Sequence, residues 1–225
     1  VTEITDHLGE IVRRVARAAQ LANRPNSVTI VAVSKRHSSE KIAEAFHAGQ
    51  RHFGESYVQE AIPKMAALRH LDITWHFVGA VQSNKTRSIA ERFDWVHTVD
   101  REKIAVRLNE QRPYHAAPLN VLIQVNQAGE PQKSGAPEAS VESIARAIRG
   151  LPRLKLRGLM TIPPQPPGAS SRAWFVELAA LRDRLQLQGH ALDTLSMGMS
   201  DDFEEAIAAG SNCVRIGTAI FGPRN

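Results

Sequence analysis

Strand-like and helix-like segments alternate along the whole chain, and that regularity limits the folds open to it. Eight short apolar segments lie at residues 29–34, 52–54, 74–79, 95–99, 120–126, 156–162, 194–197 and 213–217. The first, within Val28-Thr29-Ile30-Val31-Ala32-Val33, is rich in β-branched residues on both faces, as a strand buried on both sides is. Between them, stretches such as 41–48, 57–71, 102–110, 141–149 and 172–188 are amphipathic with a helical period. The longest carries Phe175, Leu178, Leu181 and Leu185 at that spacing. A further helix, 4–22, precedes the first strand. Gly49, Gly150, Gly189 and Gly210 each follow a helical stretch, where a left-handed terminal residue favours glycine. Strict alternation predicts a parallel sheet. Eight units in 225 residues fit a closed (β/α)8 TIM barrel, α/β in class, better than an open doubly wound sheet, which stays as the alternative. The expectation is a single barrel domain over residues 1–225 with an extra N-terminal helix. The run Ile162-Pro163-Pro164-Gln165-Pro166-Pro167-Gly168 reads as a stiff loop after the sixth strand.

Composition removes several classes of function. No apolar run approaches the roughly 20 residues of a membrane span, and the amino terminus lacks the basic-then-apolar order of a signal peptide. Cys213 is the only cysteine, so no internal disulfide forms, and a reducing, cytoplasmic setting is expected. Its apolar context, Cys213-Val214-Arg215-Ile216, predicts a buried structural thiol. The net charge of +5 is spread through helices, with no nucleic-acid motif or aromatic platform. The nine histidines show no His-x-x-x-His spacing, so no metal is expected, and His76 and His97 on strands are expected to pack.

Candidate chemistry gathers where barrels place it, just after the strands. Lys35 closes the first strand, where a partly desolvated amine can attack a carbonyl. Gly54-Glu55-Ser56-Tyr57 follows the second strand, Gln82-Ser83-Asn84-Lys85 the third, and Gln132-Lys133-Ser134-Gly135 the fifth. After strand seven come Met197-Gly198-Met199-Ser200-Asp201-Asp202, with Ser200 or Asp201 expected to cap a helix. Strand eight ends in Gly217 and Thr218. The loops after strands seven and eight are those with which barrels often bind phosphate. Arg215 interrupts an apolar strand, opposite in direction to Val214 and Ile216, and needs a partner if it points inward. That partner is either a carboxylate such as Asp201 or Asp202 or a ligand group. A lysine for an aldehyde, a phosphate cradle and an arginine for a ring nitrogen together describe a site for pyridoxal 5'-phosphate.

Several longer motifs carry a resemblance. Val33-Ser34-Lys35, the run from Phe53 to Glu60, Trp75-His76-Phe77-Val78-Gly79, Gln82-Ser83-Asn84-Lys85 and Leu156-Arg157-Gly158-Leu159-Met160 contribute to it. The runs Leu195 to Asp202 and Val214 to Gly222 complete it. In this order they resemble the YggS/PROSC family of pyridoxal phosphate homeostasis proteins. The resemblance implies a barrel of the alanine racemase N-terminal-domain type, with pyridoxal 5'-phosphate held as a Schiff base (a covalent aldimine) on Lys35. It also implies Arg215 at the pyridine nitrogen, Ser200, Gly217 and Thr218 at the phosphate, and Ser56, Asn84 and Met199 among the cofactor-binding residues. Lys133 matches a second lysine linked with cofactor transfer. Two departures stand out: Ser56 replaces the family's usual Asn, and Ala80-Val81 its Pro-Leu. Ser56 also fits as the N-cap of the next helix.

The resemblance implies a monomeric, non-catalytic carrier that hands cofactor to apo forms of pyridoxal phosphate enzymes. The residues agree with it. Racemisation needs an acid/base group on each face of the cofactor. In racemases of this fold a second domain brings a tyrosine, and no such domain is expected between the last motif and Asn225. Tyr57, expected at the mouth, and Tyr114, expected on the opposite side, are the only tyrosines. A weak amino-acid racemase and a Schiff-base aldolase acting on a sugar phosphate remain the alternatives.

Overall fold

A computed structural model describes residues 2–24, 28–130, 134–164 and 170–223. Its sheet is a closed barrel of eight parallel strands in sequential order. They are β1 (Thr29–Val33), β2 (His52–Glu55), β3 (Thr74–Phe77), β4 (Trp95–Val99), β5 (Leu119–Gln124), β6 (Leu154–Met160), β7 (Thr194–Ser196) and β8 (Cys213–Ile216). Closure comes from β1 and β8, paired from Thr29 opposite Cys213 to Ala32 opposite Ile216. The open-sheet alternative is thereby excluded.

The helices are α1 (Glu3–Leu21), α2 (Ser39–His47), α3 (Val58–Ala67), α4 (Thr86–Arg92), α5 (Glu102–Gln111), α6 (Glu138–Arg149), α7 (Arg172–Leu187), α8 (Phe203–Ala208) and α9 (Thr218–Phe221). The sequence reading placed most of these within a few residues but did not resolve α4 or α9, which are too short to show a full apolar period. The extra helix α1 buries Ile4, Leu8, Ile11, Val15 and Ala18, a stripe at helical spacing. With it α1 packs against α2, α8 and α9, over the seam where β8 meets β1.

Strand alternation sorts the interior into two regions. Ala32, Phe53, Trp75, Phe77, Val96, Val214 and Ile216 join the helices in one large apolar core outside the barrel. The residues between them in sequence, His76, His97 and Arg215, are therefore directed to the barrel interior. All three are buried. In β3, β4 and β8 the apolar period thus commits these three polar residues to the lumen. Cys213, also inside, has a thiol pushed up to about 11 by burial, as expected of a structural cysteine.

Candidate functional site

A cavity of about 330 Å³ opens at the carboxyl ends of the strands. Its wall includes Lys35, Ser56, Met199, Ser200, Arg215, Gly217 and Thr218, so the structure brings together seven of the nine residues singled out from the sequence. Asn84 is not among them: it stands in the exposed turn before α4, because the loop after β3 runs outward from the mouth. Lys133 lies outside the described residues. Val33, Val78, Ile162 and Asp201 complete the wall. Val33, Val78 and Ile162 sit at or beside strand ends, a signal that position along the barrel offers but residue type does not. Through Val78 and Ile162 the cavity adjoins a second of about 240 Å³, lined by Thr98, Gln124, Asn126 and Ser134 among others.

The Lys35 turn is held by charge. The Ser34 carbonyl accepts from the His37 N–H at 3.0 Å across the turn, with Arg36 in a left-handed conformation at φ 64°. Lys64, buried on α3, donates to the same Ser34 carbonyl at 2.9 Å. It also pairs with Glu55 at 2.9 Å and Glu60 at 2.5 Å. Glu60 in turn accepts the Arg36 backbone N–H. Lys35 is thus flanked on both sides by backbone groups tied to one buried ionic cluster. Glu55 accepts the Ser34 hydroxyl at 2.6 Å through Oε1, while Oε2 is buried with no hydrogen-bond partner among the described residues. Burial raises the Glu55 carboxyl above its usual value, against the pull of Ser34 and Lys64.

The loop after β7 is tied to β8. Arg215 N–H donates to the Gly198 carbonyl at 3.0 Å. Gly198 has φ +99°, and a Cβ there would come within 2.7 Å of Ala206 Cβ, so only glycine fits this turn. The expected helix cap differs in detail. α8 starts one residue later than Asp201 and two later than Ser200 would place it, and Asp202 stands at the N-cap position. The Asp202 carboxylate instead accepts the Met199 N–H at 2.7 Å, closing the loop on itself. Ser200 is left to face the cavity, where its Oγ lies 3.4 Å from the Ala219 N–H. Nor is Ser56 the cap of α3, whose N-cap position is Tyr57. Tyr57 is half exposed and does not line the cavity. Tyr114 is exposed in the connection between α5 and β5.

Arg215 meets neutral partners. Its Nη1 donates to Ser196 Oγ at 2.7 Å and its Nη2 to the Thr161 carbonyl at 2.9 Å. The charge of Asp202 also acts on it, offsetting part of its burial. Burial brings the guanidinium down to about 10, which leaves it charged at neutral pH. His76 and His97, expected merely to pack, are hydrogen-bonded to each other at 2.9 Å. The period-2 pattern of β3 and β4 contained this, since both histidines fall on inward positions.

A family profile described as "Alanine racemase, N-terminal domain" matches residues 7–225. A pyridoxal phosphate homeostasis protein of Pseudomonas aeruginosa is 50% identical over 226 residues, covering 100% of this chain and 97% of that protein. The one from Escherichia coli K12 is 48% identical over 231 residues, covering 100% and 98%. The chain belongs to the pyridoxal phosphate homeostasis protein family. Among solved structures, PipY of Synechococcus elongatus with PLP bound superposes with a TM-score of 0.82 at 40% identity, covering 92% of this chain and 100% of PipY. Alanine racemase of Corynebacterium glutamicum, at 18% identity and a TM-score of 0.71, shares the fold. It matches 97% of this chain but 60% of the racemase.

For a member of the homeostasis-protein family, the departures from the usual motif are informative. Ser56 lines the cavity, and Val81, at the second departure from the motif the resemblance implies, is buried. The Gly79 next to this departure is constrained: a Cβ there would lie 2.1 Å from the Ser56 carbonyl oxygen. That close approach brings the loop after β3 against the Ser56 side of the cavity. Among the described residues, no group of three or more His, Cys, Asp or Glu side chains is arranged to hold a metal ion. None of the described helices is long and apolar enough to cross a membrane.

Proposed function

We propose that the protein binds pyridoxal 5'-phosphate in the strand-end cavity and serves its homeostasis, holding and handing on the cofactor. The observation that carries the reading is the meeting of an amine, Lys35, and a buried guanidinium, Arg215, with the hydroxyls of Ser200 and Thr218 in one cavity. The wall fits the group. At Gly217 an added Cβ would lie 3.3 Å from the Val33 carbonyl oxygen and narrow the mouth. The PLP-bound relative PipY supports the same reading.

Lys35 would hold the cofactor as a Schiff base through its amine and the cofactor's aldehyde. Ser200, Gly217 and Thr218 would bind the phosphate, Arg215 would face the ring nitrogen, and Ser56 and Met199 would contact the ring. Pyridoxal phosphate, when bound, supplies an electron-withdrawing ring able to stabilise negative charge on an attached carbon. The residues around the cavity restrain that chemistry. Arg215 stays charged and disfavours a proton on the ring nitrogen, which weakens the electron sink. Tyr57, half exposed, is not placed in the cavity to work as a second acid/base. The protein is then a monomeric cytoplasmic carrier without turnover of its own, with apoenzymes as transient partners and Lys133 assisting transfer.

Purified protein loaded with pyridoxal phosphate should be yellow. Borohydride reduction should leave a pyridoxyl group on the Lys35 peptide, and Lys35→Ala should lose both signals. Transfer to an apoenzyme, without deuterium exchange at the α-carbon of amino acids, completes the expectation. Protein that takes up no cofactor would sink the reading. Exchange that depends on Lys35 would turn the carrier into a racemase. Lys133→Ala releasing cofactor at the parent rate would remove Lys133 from the transfer step.

A further inference from the structure

Behind Arg215 a file of polar side chains runs through the barrel to its opposite face. Ser196 Oγ, which accepts from Arg215, lies 2.8 Å from His97 Nδ1. His97 Nε2 lies 2.9 Å from His76 Nδ1, and His76 Nε2 lies 3.0 Å from His52 Nδ1. The residues come from β8, β7, β4, β3 and β2, so no local motif announces the file. Its far end enters a cavity of about 270 Å³, lined by His52, His76, Trp95, Arg157 and Asp193 among others, at the end where the strands begin.

The donors in this file can be ordered. Arginine only donates, so Ser196 Oγ accepts from Arg215 and has a single proton to give. Given to His97 Nδ1, that proton leaves His97 as the Nε2–H tautomer, donating to His76 Nδ1. His76 then donates from Nε2 to His52 Nδ1. Every ring accepts at Nδ1 and donates at Nε2, and every acceptor lone pair points back toward Arg215. In the opposite sense Ser196 Oγ would accept from both Arg215 and His97, and its own proton would have to turn to another acceptor. The rings are neutral: burial holds His97 and His76 well below the usual imidazole value, helped by Arg215 for His97 and by the neighbouring histidines for His76.

We propose that His97, His76 and His52 are positioning residues for Arg215, a file of neutral imidazoles that fixes the guanidinium through Ser196. The inference rests on the pyridoxal phosphate reading above and extends it to a part of the barrel that the cofactor does not reach. A carboxylate behind Arg215 would neutralise it. A neutral file leaves the full positive charge facing the ring nitrogen while still fixing the guanidinium's angle. The file therefore governs how firmly the ring nitrogen stays unprotonated and how slowly the cofactor leaves.

The test uses the full-length protein loaded with pyridoxal phosphate labelled with 15N in the ring. His76→Phe breaks the middle of the file without touching the cofactor cavity. The variant is expected to keep the borohydride-trapped pyridoxyl group on Lys35. With the guanidinium no longer held at its angle to the ring, the ring nitrogen should titrate at higher pH, and cofactor release should quicken roughly tenfold, the size of a lost hydrogen bond to a charged group. His76→Gln, whose amide can accept and donate, should recover part of both changes. Should His76→Phe fail to melt cooperatively, Ser196→Ala cuts the file beside Arg215 and gives the same readouts. A folded variant of either kind with the parent's ring-nitrogen titration and release rate overturns the proposal. Parent protein that captures no cofactor on Lys35 overturns the functional reading first, and this inference with it.

Discussion

Two basic side chains line the cavity, and they are supported by opposite means. At the Lys35 end the support is ionic. Lys64, Glu55 and Glu60 form a buried cluster that grips the backbone on both sides of the lysine, at Ser34 and at Arg36. At the Arg215 end it is neutral, a serine, a carbonyl and three imidazoles. The difference follows from what each cation has to do. Around Lys35 the fixed charges hold the backbone on both sides, and the side chain is half-buried at the mouth. Arg215 is itself buried and held by its own guanidinium, where any anion would pair with it directly.

Removing one charge from the ionic end should have the largest effect. Lys64→Met leaves Glu55 buried beside Glu60 with no cation, and breaking a buried pair in this way costs about 3–5 kcal/mol. Chemical denaturation should show that loss, and Lys64→Met combined with Glu55→Gln should recover much of it. A loss under about 1 kcal/mol, the range of exposed pairs, would mean the cluster is solvent-screened and the contrast between the two ends false.

Acid should separate the two ends next. His76 and His97 have folded values depressed below the ordinary 6.5, so below that pH the unfolded chain takes up protons that the fold refuses. Stability therefore falls as the pH drops below about 6.5, by up to about 1.4 kcal/mol per pH unit for each histidine. Glu55 works the other way. Its folded value is raised above the ordinary 4.5, so the fold holds a proton that the unfolded chain has lost, and this contribution weakens as the pH rises through that window. Unfolding free energy measured from pH 7 to 4.5 should thus fall less steeply in His76→Phe and more steeply in Glu55→Gln. Equal slopes in both variants would mean that neither end controls the acid response.

The smallest effect concerns Cys213, which lies in the lumen beside the neutral file. With its thiol pushed up to about 11 it should resist alkylation at pH 7 in the native state and react only on unfolding. Rapid native labelling would show that the lumen beside the neutral file is open to reagents.

Much of this was legible before any coordinates. Lys35, Ser200, Arg215, Gly217 and Thr218 could be gathered from sequence because a parallel barrel turns position along the chain into position at one mouth. Asn84 failed the same logic, since a loop seven residues beyond its strand has room to turn away. The cap assigned to Ser200 or Asp201 failed because Asp202 spends its carboxylate on Met199 rather than on the helix.

The amino-acid sequence determined the barrel, through eight apolar segments with helices between them. It also determined which residues enter the lumen, through the apolar alternation that sends Val214 and Ile216 outward and Arg215 inward. Only the tertiary structure decided what Arg215 meets there. The sequence leaves a carboxylate such as Asp201 or Asp202, or a ligand group, as its partner. The register that closes β8 against β1 and β7 instead sets Arg215 against Ser196, and through it the histidines of three other strands. Hydrogen bonds act over about 3 Å, and no spacing along a chain reports which strands will come that close across a barrel.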